Sequence, residues 1–259
     1  MKEVLVQGRT LPEAYHKAIS ELFRSGEISD CPDYNQKQRE LSMTMYVTEP
    51  LGEPMISKLF IGGFEELEQY RQEVLDGILD FRIGYGWDYT YHERIAKQLP
   101  FIYEEFKRNI STRRAVIDIR DVAIDTRHGN DSPACLQHIQ FFVRDNKMHM
   151  KVMMRSNDAP EATYMNAFAF IQLLKRVAET VGVGVGTYTH RANSFHCYQK
   201  DFKLLEGYMN ALASGADVTY EYEGFFDAMM EEARPLVDMK VAQVRESVEK
   251  EKTAAKKKK

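Results

Sequence analysis

The stretch HIQFFVRDNKMHMKVMM, His138–Met154, decides the fold class of this chain. Its first half, His138–Val143, is an apolar run of strand length. Its second half, Met148–Met154, alternates apolar and polar side chains with the period of two that suits a half-buried strand. Asp145-Asn146 lies between them and suits the tight turn of a hairpin. Outward from this hairpin, Ala115–Ile119 and Val183–Thr189 read as short strands. Arg39–Val47 reads as a strand because Leu41, Met43 and Met45 alternate with polar neighbours. Helical spacing appears in Leu11–Leu22, where Leu11, Ala14, Tyr15, Ala18, Ile19 and Leu22 form one stripe. Glu65–Leu79 and Ile95–Arg108 read as further helices, Asn166–Val181 as a long buried one, and Asp227–Lys252 as one that grows more charged along its length. Strands and helices mix without strict alternation, so the expected fold is α+β: a single domain with a large mixed β-sheet flanked by helices. No repeat or Pro/Gly-rich linker divides the chain. Residues 1–240 therefore form the expected domain, and 241–259 a charged, helical to disordered, lysine-rich tail.

The 259 residues are 44% hydrophobic and 29% charged, an ordinary globular balance. Net charge is −4, but the last ten residues carry +5, which leaves −9 on the first 249. A body that acidic argues against nucleic acid as a partner. Cys31, Cys135 and Cys197 cannot pair without one left over, and their spacings match no zinc pattern, so no metal is expected. No apolar run approaches a signal peptide or a membrane span. The expectation is a reduced, cytoplasmic protein with no membrane partner.

Four polar clusters could carry chemistry. Cys135 follows Ser132-Pro133-Ala134 at a loop-to-strand junction, where a thiolate can be exposed, although a cysteine also serves as a small buried hydrophobe. Arg155-Ser156-Asn157-Asp158 ends the second hairpin strand. Its guanidinium and hydroxyl can grip a phosphate, or the segment can be a turn. Thr112-Arg113-Arg114 precedes a strand and could be surface charge. If Phe195–Tyr198 is extended, His196 and Tyr198 share a face and Cys197 points the other way. Gly182, Gly184 and Gly186 follow a helix, which is the wrong order for a phosphate loop of the strand-loop-helix type.

Taken in order, these clusters resemble the thymidylate synthase family. The matching elements are Thr112-Arg113-Arg114, Pro133-Ala134-Cys135 with Gln140, Arg155-Ser156-Asn157-Asp158, Asn166 and His196-Cys197-Tyr198. Asn166 stands eleven residues after Arg155, and His190 six before His196. The resemblance implies that Cys135 is the nucleophile that adds to carbon 6 of a pyrimidine, activating carbon 5 towards a one-carbon unit. Arg155 and Ser156 would bind the nucleotide phosphate, with Arg113 and Arg114 reaching in from the second subunit of a homodimer. His196 and Tyr198 would hold the sugar 3′-hydroxyl, and Asp158 would lie near the folate and the base. Glu66 resembles the family's proton-handling glutamate, although Glu65, Glu66, Glu68 and Glu73 also suit a solvated helix face. Tyr85-Gly86 stands in the place of the family's Tyr-Gly pair, and the loop Trp87–Arg94 could supply the proton-relay tyrosine instead. An asparagine at 166, where related phage deoxycytidylate hydroxymethylases carry aspartate, implies a uracil base.

The expected substrate is thus deoxyuridylate. The expected cosubstrate is 5,10-methylenetetrahydrofolate or a methanopterin-like carrier. Departures fall on the folate side: Leu136 follows the cysteine, Met154 precedes Arg155, and Ala159–Met165 lacks the usual Gly-rich string. Leu236–Lys259 lacks the family's Ala-Pro-Val type of ending. Methylation is the leading expectation. Water capture to a hydroxymethyl nucleotide is the second, and a non-catalytic nucleotide-binding protein a distant third.

Overall fold

A computed structural model describes residues 1–256, and the side chains of all of these except 225–227 and 254–256. The hairpin forms as expected. Strands β6 (Leu136–Arg144) and β7 (Lys147–Asp158) pair antiparallel across Asp145 and Asn146, whose φ angles are +50° and +56°. Those left-handed values are what a two-residue turn matched to the sheet's twist needs.

Outward from this hairpin the sheet has seven strands. β5 (Val116–Asp118) lies antiparallel beside β6, and β8 (Gly184–Tyr198) lies parallel beside β7. β3 (Gln36–Val47) runs antiparallel to β8 and carries both β1 (Glu3–Gly8) and β2 (Glu27–Cys31). Two parallel pairings among antiparallel ones make the sheet mixed. A separate two-stranded ribbon joins β4 (Ile56–Ser57) to β9 (Thr219–Tyr220).

One face of the sheet is covered by helices. α1 (Leu11–Ser25) packs on β1 and β3, and α6 (Tyr164–Val181) packs on β7 and β8. Most of α6 is buried, from Tyr164 to Ala178, because it lies between the sheet and α2 (Phe64–Asp76). A helix apolar on nearly all sides belongs in such a position. Along β7 and β8, Met148, Met150, Val152, Tyr188, His190 and Ala192 are buried, whereas His149, Met153, Thr187, Thr189 and Arg191 are only half-buried. The second face of the sheet is therefore the wetter one.

Several boundaries differ from expectation. The helix expected over Ile95–Arg108 is two: α3 (Tyr91–Ala96) and α4 (Leu99–Arg108), with Pro100 in the first turn of α4. Proline is tolerated there and disfavours helical backbone just before it. The short strand expected at Val183–Thr189 continues to Tyr198, because β3 and β7 flank it along most of its length. A four-residue helix, α5 (Val122–Asp125), precedes β6, and α7 (Phe202–Ala213) follows β8. The last helix, α8 (Asp227–Lys256), packs on α2. The expected tail boundary at 240 falls inside α8, and residues 257–259 lie outside the described residues. Gly182, at φ +80°, closes α6 with its N–H on the carbonyls of Ala178 and Glu179, so the Gly-Val alternation is a helix stop and a strand start. Among the described residues no helix is long and apolar enough to cross a membrane.

Candidate active site

The carboxyl end of β7, the end of β8, the start of α6 and the loop before β6 surround a cleft of about 1,210 Å³. Arg155, Ser156, Asn157 and Asp158 line it from β7, His196 and Tyr198 from β8, Asn166 from α6, and Cys135 from the loop. Register explains the grouping: Ser156 sits opposite Ser194, and Asp158 opposite His196, in the parallel β7–β8 pair.

Arg155 is built into the loop that carries the cysteine. Its Nε donates to the Ala134 carbonyl at 3.1 Å and its Nη2 to the Pro133 carbonyl at 2.8 Å. Its backbone N–H donates to the Cys135 carbonyl at 2.7 Å. The β6–β7 register shifts between Leu136 and His138, immediately after the cysteine. Such bulges re-aim the residues beside them.

Beneath this loop lies a buried ion pair. Arg94 Nη1 reaches Asp125 Oδ2 at 2.6 Å, and the Arg94 guanidinium stacks 4.0 Å from the Tyr89 ring. The Asp125 carboxylate also accepts from the backbone of Ala134 at 3.2 Å and of Asp121 at 2.7 Å. Side-chain exposure of 7% and 0% makes this pair a structural anchor for the Cys135 loop rather than a surface bridge.

β8 is extended through residue 198, so the alternation expected there holds. The His196 and Tyr198 rings meet edge to face at 4.8 Å on the cleft, while Cys197 turns into the core. Burial pushes the Cys197 thiol up to about 12. His196 Nδ1 lies 3.4 Å from Ser156 Oγ and 3.3 Å from Ser194 Oγ, and burial holds this imidazole below its ordinary value, so it is neutral at pH 7. Behind it runs a fully buried relay: Tyr188 Oη to His190 Nδ1 at 2.8 Å, then His190 Nε2 to Asn157 Oδ1 at 2.7 Å. Burial drops His190 to about 3, which leaves it a neutral support for Asn157.

Asp158 has the chemistry of an acid–base group. Burial raises its carboxyl to about 7, against one backbone hydrogen bond from Glu161 at 3.1 Å that favours the charged form. Asp158, Glu161 and Asp201 bring carboxylate oxygens within 4.8 Å of one another. The Lys200 ammonium lies among them, paired with Glu161 and 3.7 Å from Asp201, so a lysine of the same chain meets that charge.

A second chamber of about 580 Å³ shares the walls of Tyr70 and Tyr91 with the cleft and adds Trp87, Tyr89 and Glu73. Burial raises the Glu73 carboxyl and pushes Tyr89 up to about 12. Tyr91 Oη accepts the Leu136 N–H at 3.2 Å, beside Cys135. The relay tyrosine expected somewhere in Trp87–Arg94 thus has a candidate in the wall.

The structure does not bring Glu66 or Tyr85 to the cleft wall. Glu66 stands in the first turn of α2, its carboxylate accepting the Gly63 N–H at 2.8 Å, and that bond lowers its pKa. Tyr85 is exposed, with the Lys252 ammonium 4.6 Å over its ring. Arg113 and Arg114 are exposed before β5 and also stand outside the wall; the Arg113 carbonyl accepts from Gln140 Nε2 at 3.1 Å.

Sequence reasoning missed Tyr70, whose hydroxyl donates to Asn166 Oδ1, and Glu73. Both lie on the helical face of Glu66, four and seven residues on, and that spacing was the available signal. It also missed Tyr34, whose ring lies 4.9 Å from Tyr198 at the cleft rim.

A family model described as thymidylate synthase matches residues 63–253. A protein of Methanocaldococcus jannaschii described as "Putative thymidylate synthase" is 31% identical over 208 residues, covering 77% of this chain and 93% of its own length. One with the same description from Methanococcoides burtonii is 26% identical over 204 residues, covering 78% and 93%. The solved thermostable thymidylate synthase A of Bacillus subtilis superposes with a TM-score of 0.62 at 16% identity, over 78% of this chain and 84% of that one.

Proposed function

Because the chain belongs to the thymidylate synthase family, we propose that it methylates carbon 5 of deoxyuridylate, using Cys135 as the nucleophile at carbon 6. The family's activity is one-carbon transfer to deoxyuridylate with a folate-type cosubstrate. The observation that best supports the finer reading is convergence. A cysteine, a guanidinium anchored beside it, a neutral His–Tyr pair and a carboxamide line one cleft, contributed by four separate segments.

In this reading the Cys135 sulfur bonds to carbon 6 and carbon 5 gains the nucleophilic electron pair. Arg155 and Ser156 hold the phosphate, His196 and Tyr198 the 3′-hydroxyl, and Asn166 the base edge. Asp158, poised at about 7, takes up and returns protons at neutral pH, where such a group is most effective. Tyr91, on the wall beside Cys135, is the better-placed relay tyrosine. A reduced folate or methanopterin-like carrier supplies the one-carbon unit and the hydride. The second chamber fits such a group: Trp87, Tyr70, Tyr89 and Tyr91 offer flat aromatic walls, and the Glu73 carboxyl would accept from a pterin's N–H donors.

Charge is what supports a homodimer in this reading. Arg155 is the one arginine or lysine among the described residues lining the cleft, against Asp30, Asp33, Asp131 and Asp158. A phosphate dianion needs more positive charge than that. The exposed Arg113 and Arg114 of a second copy can supply it.

Mass spectrometry of the product formed from deoxyuridylate and 5,10-methylenetetrahydrofolate tests the proposal. Thymidylate with dihydrofolate is the expected result. A hydroxymethyl product with tetrahydrofolate returned assigns the water-capture reaction instead. No product from deoxyuridylate or deoxycytidylate, with the folate or with a methanopterin carrier, refutes the enzymatic reading.

A further inference from the structure

We infer that Tyr70 is a specificity-determining positioning residue: by holding Asn166 Oδ1 it fixes which end of the amide meets the base, and so selects uracil over cytosine. The inference rests on the pyrimidine reading of the cleft.

A carboxamide is two-faced. Its NH2 donates and its oxygen accepts, and rotation by half a turn exchanges them. Asparagine alone therefore discriminates weakly between a uracil edge (carbonyl at carbon 4, N–H at position 3) and a cytosine edge (amino group at carbon 4, bare nitrogen at 3). Asn166 is not alone. It is 5% exposed in the first turn of α6, and the Tyr70 hydroxyl, arriving from α2, donates to its oxygen. A phenol has one proton, and here it is committed to Oδ1, which leaves the NH2 as the group aimed at the cleft. That NH2 meets the uracil carbonyl as donor to acceptor and the cytosine amino group as donor to donor.

Flipping the amide would turn the Tyr70 oxygen into the acceptor and strip its proton of its partner. The ring packs against the core beside Tyr89, Tyr91 and Glu73. Burial holds the phenol far above its usual range, so it remains a donor throughout the working pH range. Losing one such buried hydrogen bond corresponds to a factor of about ten. Tyr70 sits one helical turn after Glu66, so α2 brings a neutral donor to Asn166 rather than a carboxylate.

The test is the dUMP-to-dCMP affinity ratio, measured by titration calorimetry on a Cys135→Ala background so that covalent addition does not enter. Tyr70→Phe should narrow the ratio about tenfold, chiefly by admitting dCMP. In an Asn166→Asp background the same substitution should leave the ratio unchanged, because both ends of a carboxylate accept. A merely structural Tyr70 would move affinity for both nucleotides equally in both backgrounds, and that result overturns the inference. Should Tyr70→Phe fail to fold, the Cys135→Ala protein alone decides, with the deoxynucleotide of pyrimidin-2-one as third ligand. A fixed NH2 ranks dCMP below this base, which lacks any group at carbon 4, and a free amide ranks dCMP level with it or above. Failure to bind any of the three would instead overturn the pyrimidine reading itself.

Discussion

Replacing Asp158 by asparagine should make the protein more stable and less active at neutral pH. The carboxyl has an ordinary value of 3.8 and is raised to about 7 in the fold, chiefly by burial. A raised acid binds its proton more tightly in the folded state than in the unfolded one. The stability it permits is therefore complete below about pH 4 and is lost as the pH rises towards 7. Three pH units at 1.36 kcal/mol each give about 4 kcal/mol, and the cleft's partial access to water reduces this to roughly 3. The amide oxygen of the Asp158→Asn variant can still accept the Glu161 N–H, so that hydrogen bond is retained. Glu73 and Asp201, also raised, and His16, His190 and His196, all lowered, titrate in both proteins and cancel in the difference, apart from the coupling of Asp158 to Glu161, Asp201 and Lys200. Urea unfolding of both proteins from pH 4 to pH 8 measures that difference. It should be near zero at pH 4 and favour the variant by about 3 kcal/mol at pH 8. Turnover should fall by roughly 10²–10⁴, the usual worth of a positioned acid–base group. A stability difference independent of pH would refute the placement of Asp158 as a raised carboxyl, whatever happened to activity.

Three other outcomes are expected. Cys135→Ala should abolish turnover while leaving nucleotide affinity, read by calorimetry, within a few-fold. Asp125→Ala strands the buried Arg94 guanidinium and frees the Cys135 loop, and should cost about 3–5 kcal/mol in chemical unfolding, with a larger loss in kcat than in binding. If Arg113 and Arg114 complete the neighbouring site, Cys135→Ala and Arg113→Ala/Arg114→Ala proteins, each inactive, should regain up to about a quarter of wild-type activity when unfolded and refolded together, since half the dimers are then mixed and each holds one intact site. No recovery in gel-filtered mixed dimers would confine the arginines to their own chain.

Much of the fold was legible because periodicity and burial coincide. The His138–Met154 hairpin, the stripe of α1 and the apolar α6 each carry a pattern set by one neighbouring layer. The sequence shows only the first part of β8, because its second half runs Arg191-Ala192-Asn193-Ser194, a polar stretch with no strand signature. Its extended form comes from strands on either side, and Arg191 is satisfied by Glu3, Ser42 and Thr44 across the sheet. Those partners lie about 150 to 190 positions away, beyond the reach of any local pattern. The break between α3 and α4 was legible in principle, since Pro100 fits the start of a helix better than its middle.

The site divides in a way that explains which of its residues sequence could find. Arg155, Ser156, Asp158, His196 and Tyr198 lie on two adjacent strands, where register alone fixes their separation. A motif on paired strands keeps its spacing because a one-residue slip would turn each side chain to the other face. The group that holds Asn166, Tyr70, and one carboxyl of the second chamber, Glu73, come from α2, whose acidic run offers several interchangeable-looking candidates. Glu66 caps the helix, Glu68 is wholly buried against Arg71 and Arg234, and Glu73 turns to the chamber. The assignment of Glu68 depends on Arg234 of α8, 166 residues away. An acidic helix face is thus not one surface but three environments, separated only by what packs against each turn. The residue that reaches Asn166 from this helix is Tyr70, a side chain that an acid–base search passes over, and recognition on this helix therefore has to be sought by position before residue type.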